Sequence, residues 1–215
     1  LEERLASIEG GVAALAVASG SSAVALSIQN VASAGDNIVA SPHLYGGTYN
    51  LFTNTLKEMG IEVRFADPGE PESFRALSDD KTRAYFGETL PNPKLVPFPI
   101  EEVASIGREL GIPLIVDNTA APITCRPFDF GATIVVHSLT KYIGGHGTSI
   151  GGVIIDSGTF DWVAIPNQQP HFNKPDSSYH GAIWGELVPE ALGAPIAYAV
   201  RARVVLLRDL GSALS

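Results

Sequence analysis

Two short segments, Leu114-Ile115-Val116 and Ile134-Val135-Val136, are apolar at every position. A strand with one wet face alternates between apolar and polar residues, so an unbroken apolar run belongs to a sheet covered on both faces. Similar short runs recur along the chain with longer amphipathic stretches between them. The pattern predicts strands at Val12–Val17, Asn37–Ala40, Glu62–Phe65, Thr82–Gly87, Pro113–Asp117, Thr133–His137 and Gly152–Ile155. Helices are predicted at Ser21–Ala32, Thr48–Met59, Glu70–Leu77, Ile100–Leu110 and Pro195–Leu210, after an N-terminal helix carrying Leu1, Leu5 and Ile8 that Gly10-Gly11 stop. Strands alternating with helices indicate an α/β fold with a mainly parallel sheet. The stretch Gly11–Ser19 is rich in alanine, so a helix competes with a strand there. Only about fourteen residues join the last two strands, too few for an ordinary parallel crossover, and this points to an antiparallel last strand. Pro166–His180, with three prolines, reads as an irregular loop.

Composition excludes several classes of function. The formal net charge of −9 opposes binding to nucleic acid or to an anionic membrane, both of which need a basic face. No stretch approaches the ~20 apolar residues of a membrane span. The one cysteine, Cys125, cannot form an internal disulfide, in keeping with a reducing cytoplasm, and it reads as a small packing residue. Five histidines are scattered without ligand spacing, so no metal site is expected.

Ligands of α/β sheets bind beyond the carboxyl ends of the strands. One such end is Asp117, an acid directly after four apolar strand residues, which is costly to bury alone; an Asx-turn is the structural alternative. The next strand runs into Ser138-Leu139-Thr140-Lys141 and then a glycine-rich turn, Gly144-Gly145-His146-Gly147. Hydroxyls and flexible backbone amides suit a phosphate, and a lysine in a partly dry pocket suits Schiff-base chemistry, although Lys141 taken alone reads more simply as a solvated loop lysine. The turn lacks the Gly-Lys-Ser/Thr ending of a P-loop and the spacing of a dinucleotide fingerprint. A third element, Ser19-Gly20-Ser21, sits where a strand meets a helix; it is either an anion site or an ordinary N-cap. One ligand satisfies all three elements: pyridoxal 5′-phosphate (PLP), with its phosphate, basic ring nitrogen and aldehyde. Tyr45 could then stack on the ring and Asn92 could bond its hydroxyl, although packing and a turn are their plain alternatives.

These segments, in order, resemble the Cys/Met-metabolism PLP enzymes of the aspartate-aminotransferase fold. The resemblance runs over essentially the whole chain, through LEERLASIEGG, ALAVASGSSA, GDNIVASPHLYGGTYNLF, ETLPNPKL, GIPLIVDNTAAP and CRPFDFGATIVVHSLTKYIGGHGTSIGGVIID. It implies a large domain with a mostly parallel seven-stranded sheet covered by helices on both faces. Residues 1–194 would form this PLP-binding domain and 195–215 would begin the helix leading to a C-terminal domain. By position, Lys141 matches the Schiff-base lysine, Asp117 the partner of the ring nitrogen and Tyr45 the stacking tyrosine that is also a candidate proton shuttle, so that these three are the expected catalytic residues. Gly20, Ser21, Ser138 and Thr140 match phosphate contacts, and Asn92 faces the ring hydroxyl.

The segment GGHGTSIGG is similar to the O-acetylhomoserine sulfhydrylase branch, which implies γ-replacement on that ester by sulfide or a thiol. A γ-lyase or γ-synthase of the same family is the alternative, and a fragment without turnover is another. Family members assemble as homo-oligomers, dimers of dimers. Their upstream Tyr-x-Arg segment and their substrate-binding arginine have no counterpart in these residues, so the chain is expected to be partial. DNTAAP also lacks the aromatic residue that many relatives carry after DNT.

Overall fold

The computed structural model describes residues 1–210. The expected linker segment 195–215 therefore ends outside the described residues, at 211–215. The chain runs α1 (Glu2–Glu9), β1 (Ala13–Val17), α2 (Gly20–Gln29), β2 (Asn37–Ala40), α3 (Gly46–Asn50), α4 (Leu56–Glu58), β3 (Glu62–Phe65), α5 (Glu72–Ala76) and β4 (Thr82–Glu88). It continues through α6 (Ile100–Leu110), β5 (Leu114–Asp117), β6 (Ile134–Ser138), β7 (Gly152–Asp156), α7 (Pro170–Asn173), α8 (Trp184–Leu192), α9 (Ala197–Arg201) and α10 (Arg208–Leu210). π-helical turns at Leu51–Thr55 and Ala202–Leu207 join α3 to α4 and α9 to α10.

The seven strands form one sheet in the order β1-β7-β6-β5-β4-β2-β3. Strand β7 is antiparallel to both β1 and β6, whereas the pairings β6–β5, β5–β4, β4–β2 and β2–β3 are parallel. The short β6–β7 connection explains the reversal, because it holds only tight turns and no crossover helix. The Ala-rich Gly11–Ser19 stretch resolves as strand β1, which pairs over five residues with β7.

Alternate residues of each central strand enter different cores. On β5, Ile115 packs with α2, Phe52, Leu56 and Tyr198 on one face, while Leu114 and Val116 pack with Phe74 and the α6 residues Val103 and Ile106 on the other. On β6, Ile134 and Val136 join the first face and Val135 joins Leu5 of α1 on the opposite one. Helices on both faces are the reason these strands carry no polar alternation.

Several boundaries differ from expectation. The Pro166–His180 stretch contains α7, whose first residue is Pro170, where a missing N–H costs nothing, and a 3₁₀ turn at Ser177–Tyr179. Helix α8 was not foreseen, since Pro189 lies inside it. The predicted Pro195–Leu210 helix starts at Ala197, and Glu70–Leu77 shortens to α5. Strands β4 and β6 each run one residue further than predicted, to Glu88 and Ser138, and both extensions reach the cleft described next.

Candidate active site

A cleft of about 1030 Å³ opens at the carboxyl ends of β4, β5 and β6. All eight residues singled out in the sequence line it: Gly20, Ser21, Tyr45, Asn92, Asp117, Ser138, Thr140 and Lys141. Helix α2 aims its N-terminus at this space. Ser19 caps that helix, its Oγ accepting from Ser22 N–H at 3.0 Å, and Ala23 N–H reaches Ser19 C=O at 2.9 Å. The N–H groups of Gly20 and Ser21 are then the ones left at the open end of the helix, where the backbone dipole favours an anion. Glycine is required at position 20 because a Cβ there would stand 2.6 Å from the Cβ of Ser138. The helix end and the end of β6 are thereby brought almost into backbone contact.

Asp117 closes β5 at the floor of the cleft. Its Oδ1 accepts from Thr119 N–H at 2.9 Å, so the Asx-turn foreseen as an alternative is present along with access to the cleft. Burial pushes the Asp117 carboxyl up, against the pull of the Thr119 side chain and N–H and of nearby His137. A carboxyl desolvated in this way gains by facing a cationic N–H. Thr119, which sequence reasoning passed over, also accepts the Ser138 N–H at 2.8 Å and so ties the ends of β5 and β6 together.

On the far side of the sheet, the residues next to Asp117 and Ser138 meet α1. Glu9 Oε1 lies 2.6 Å from His137 Nε2 and accepts from Asn118 Nδ2 at 3.0 Å; Glu9 and His137 are each 1% exposed. This buried cluster pins both strand ends from beneath. No sequence motif announced it, because Glu9 lies more than a hundred residues from its partners.

Two expectations need correction. Lys141 is exposed in the turn after β6 and is not in a partly dry pocket within this chain. The glycine-rich run also spends amides on itself: Gly144 N–H bonds Leu139 C=O at 2.9 Å and Gly145 N–H bonds Lys141 C=O at 2.8 Å. Those two groups shape the lysine turn and do not face a phosphate. The Thr140 hydroxyl is similarly engaged with the backbone of Gly151, donating at 3.3 Å and accepting at 3.2 Å.

Tyr45 is 52% exposed, so the chain covers only about half of it. Its ring lies over Gly47, where a Cβ would come within 2.6 Å of it. Asn92 is exposed on the loop after β4. Between these two stands Glu88, the last residue of β4, which pairs in register with Asp117 and was not among the expected site residues. Its Oε1 accepts from Tyr45 N–H at 2.6 Å. Burial and the nearby Asp117 carboxyl raise the Glu88 carboxyl to about 8, although the N–H groups of Tyr45 and Asn92 oppose the rise. An acid directly after a buried strand was the signal that revealed Asp117, and it applied equally to Glu88. Ending β4 one residue early concealed it. Among the described residues there is no cluster of metal-ligating side chains.

The residues present fit PLP: a helix end that only glycine allows so close to Ser138, a half-buried carboxyl suited to a ring N–H, and an amine in the same cleft. Comparison with known proteins agrees. Residues 1–197 match the family described as Cys/Met metabolism PLP-dependent enzyme. The chain is 52% identical to an O-acetyl-L-homoserine sulfhydrylase of Leptospira meyeri, with 100% of this chain and 49% of that protein aligned. It is 50% identical to a homocysteine/cysteine synthase of Saccharomyces cerevisiae over 98% of this chain and 47% of that protein. A solved Campylobacter jejuni structure described as an O-acetylhomoserine (thiol)-lyase, carrying a pyridoxyl-lysine-5′-monophosphate, superposes with a TM-score of 0.92 at 38% identity. It is covered over 51% of its length by 99% of this chain. The chain thus spans about half the length of the relatives it matches. On this evidence of sequence and fold together, the chain belongs to the Cys/Met-metabolism family of PLP-dependent enzymes.

Proposed function

We propose that this chain forms the PLP-binding part of an enzyme that carries out γ-replacement on O-acetyl-L-homoserine. Sulfide or a thiol would add at Cγ as acetate leaves, giving homocysteine, or methionine from methanethiol. The observation that carries the reading is the convergence of Lys141, Asp117 and the α2 N-terminus on one cleft. The likeness to sulfhydrylases over the whole chain supports the choice of substrate.

Bound PLP would supply an electron sink for the carbon bonds of an amino acid. Gly20 and Ser21 would hold the phosphate through their N–H groups, aided by the Ser138 hydroxyl; Thr140 would need to release Gly151 to join them. Asp117 would keep the ring nitrogen protonated. Tyr45 would cover the ring face, and Asn92 would donate to the ring hydroxyl. Lys141 Nζ would hold the cofactor aldehyde and, once displaced by substrate, move protons at Cα and Cβ.

Residues 1–194 serve in this reading as the large domain and 195–215 as the start of a linking helix. A cytoplasmic homo-oligomer, in which further protein dries the exposed Lys141, completes it. Among the described residues no helix is long and apolar enough to cross a membrane. The test is PLP titration followed by visible absorbance, with Lys141→Ala as the partner variant. Bound-cofactor absorbance that Lys141→Ala abolishes, together with acetate release that depends on sulfide, is the expected result. Ammonia and an oxo-acid released without sulfide would replace this reaction with a γ-lyase, and no cofactor absorbance would end the reading.

A further inference from the structure

Glu88 is 6% exposed, yet its carboxyl does none of the work assigned to the eight residues above. Its setting is specific. The carboxyl projects from the end of β4 beside Asp117, its register partner on β5. Two loops meet on it. The Tyr45 turn is the N-terminal boundary of α3 and donates its N–H to Oε1 at 2.6 Å, the short distance of a strong bond. The Asn92 N–H, on the loop after β4, also faces this carboxyl. Tyr45 and Asn92 are themselves exposed, so side-chain packing does little to fix them.

We propose that Glu88 is a positioning residue that locks the Tyr45 turn and the Asn92 loop onto the end of β4, setting both side chains relative to Asp117. The assignment rests on the PLP reading for its purpose, but the locking itself is a property of the chain. A buried acceptor costs free energy unless it is paired, and among the described residues the groups that reach it are the backbone donors of the two loops that flank the ring site. Moving either loop would strip the carboxyl of a donor. Reach and charge both matter. The carboxyl must extend far enough to meet Tyr45 N–H, and it must stand beside Asp117 without filling the space where a cationic ring nitrogen would sit. Burial and the Asp117 charge both favour the neutral form of Glu88. A neutral Glu88 keeps an oxygen that accepts from Tyr45.

Two variants separate reach from charge. Glu88→Asp draws the carboxyl back by one methylene, about 1.5 Å, and Glu88→Gln keeps the reach and an acceptor oxygen but removes the acid. Amide hydrogen exchange in the chain without added PLP reads the locking directly. In Glu88→Asp the Tyr45 and Asn92 amides are expected to exchange at least about tenfold faster, while the β5 amide of Ile115 keeps its parental rate; in Glu88→Gln the Tyr45 amide stays protected. PLP titration reads the consequence: Glu88→Asp is expected to weaken binding about tenfold and Glu88→Gln by less. Parental exchange at Tyr45 in Glu88→Asp overturns the proposal, as does parental PLP affinity in that variant when Tyr45 has been freed. If the parent chain binds no PLP, the cofactor reading falls, and the exchange rates still decide whether Glu88 locks the loops.

Discussion

Replacing Gly20 by alanine tests the reasoning behind the phosphate site with one methyl group. The added Cβ would lie 2.6 Å from Ser138 Cβ, 2.9 Å from its Cα and 3.0 Å from its Oγ. Non-bonded carbons prefer roughly 3.5–4.0 Å, so helix α2 and the end of β6 must part by about 1 Å. Forcing extra volume into a packed contact costs about 1–3 kcal/mol. Alanine recovers up to about 1 kcal/mol in a helix interior, and less at this first position. The expected net loss is about 1–2 kcal/mol of stability, read from denaturant midpoints. The same displacement carries the Gly20 and Ser21 N–H groups away from Ser138, so PLP affinity should fall by about tenfold, equivalent to ~1.4 kcal/mol. Gly46→Ala is the control: that glycine starts α3 with nothing within 4 Å of the added methyl, and its stability should stay within about 0.5 kcal/mol of the parent. A Gly20→Ala chain as stable as Gly46→Ala, with PLP binding within twofold of the parent, would refute the argument that close approach at this point builds the site.

Two further outcomes concern the framework. Asp156, 2% exposed at the end of β7, accepts from Gly158 and Ala199 N–H, and burial raises its carboxyl to about 7. A raised acid binds its proton more tightly when folded. Its contribution to stability is therefore complete below about pH 4, the unfolded value, and is lost as pH climbs through about 7. Asp156→Asn should remove that loss, so that between about pH 5 and pH 7 the variant gains roughly 2–3 kcal/mol on the parent in denaturant titrations; an equal gap at both pH values would contradict it. Glu9→Ala should cost about 3–5 kcal/mol, since it strands His137 and Asn118 without their shared acceptor, and a melting temperature close to the parent's would show that the cluster does not hold the strand ends.

The strand-and-helix order, the seven strands and the antiparallel β7 were legible in the sequence, because each depends on periodicity or on the length of a connection. So were the residue types of the cleft: an acid after an apolar run at Asp117, hydroxyls and an amine after another at Ser138 and Lys141, and glycine before a helix at Gly20. These are local signals, carried by neighbours in the chain. Helix α8 escaped because tertiary packing of Trp184 and Val188 overrides the local penalty of Pro189.

What only the tertiary structure decided are the partnerships across the sheet. It brings Glu88 beside Asp117, sets Glu9 under His137 at a separation of 128 residues, and turns the amides of Gly144 and Gly145 inward on the lysine turn. The lysine's exposure belongs to the same class. Burial and hydrogen bonding depend on which distant segments arrive at a point, and no periodicity along the chain encodes that. A strand boundary one residue long, Gly87 against Glu88, separated the two views of the site: register with β5 places Glu88 at the cleft, and register is set by the packed sheet.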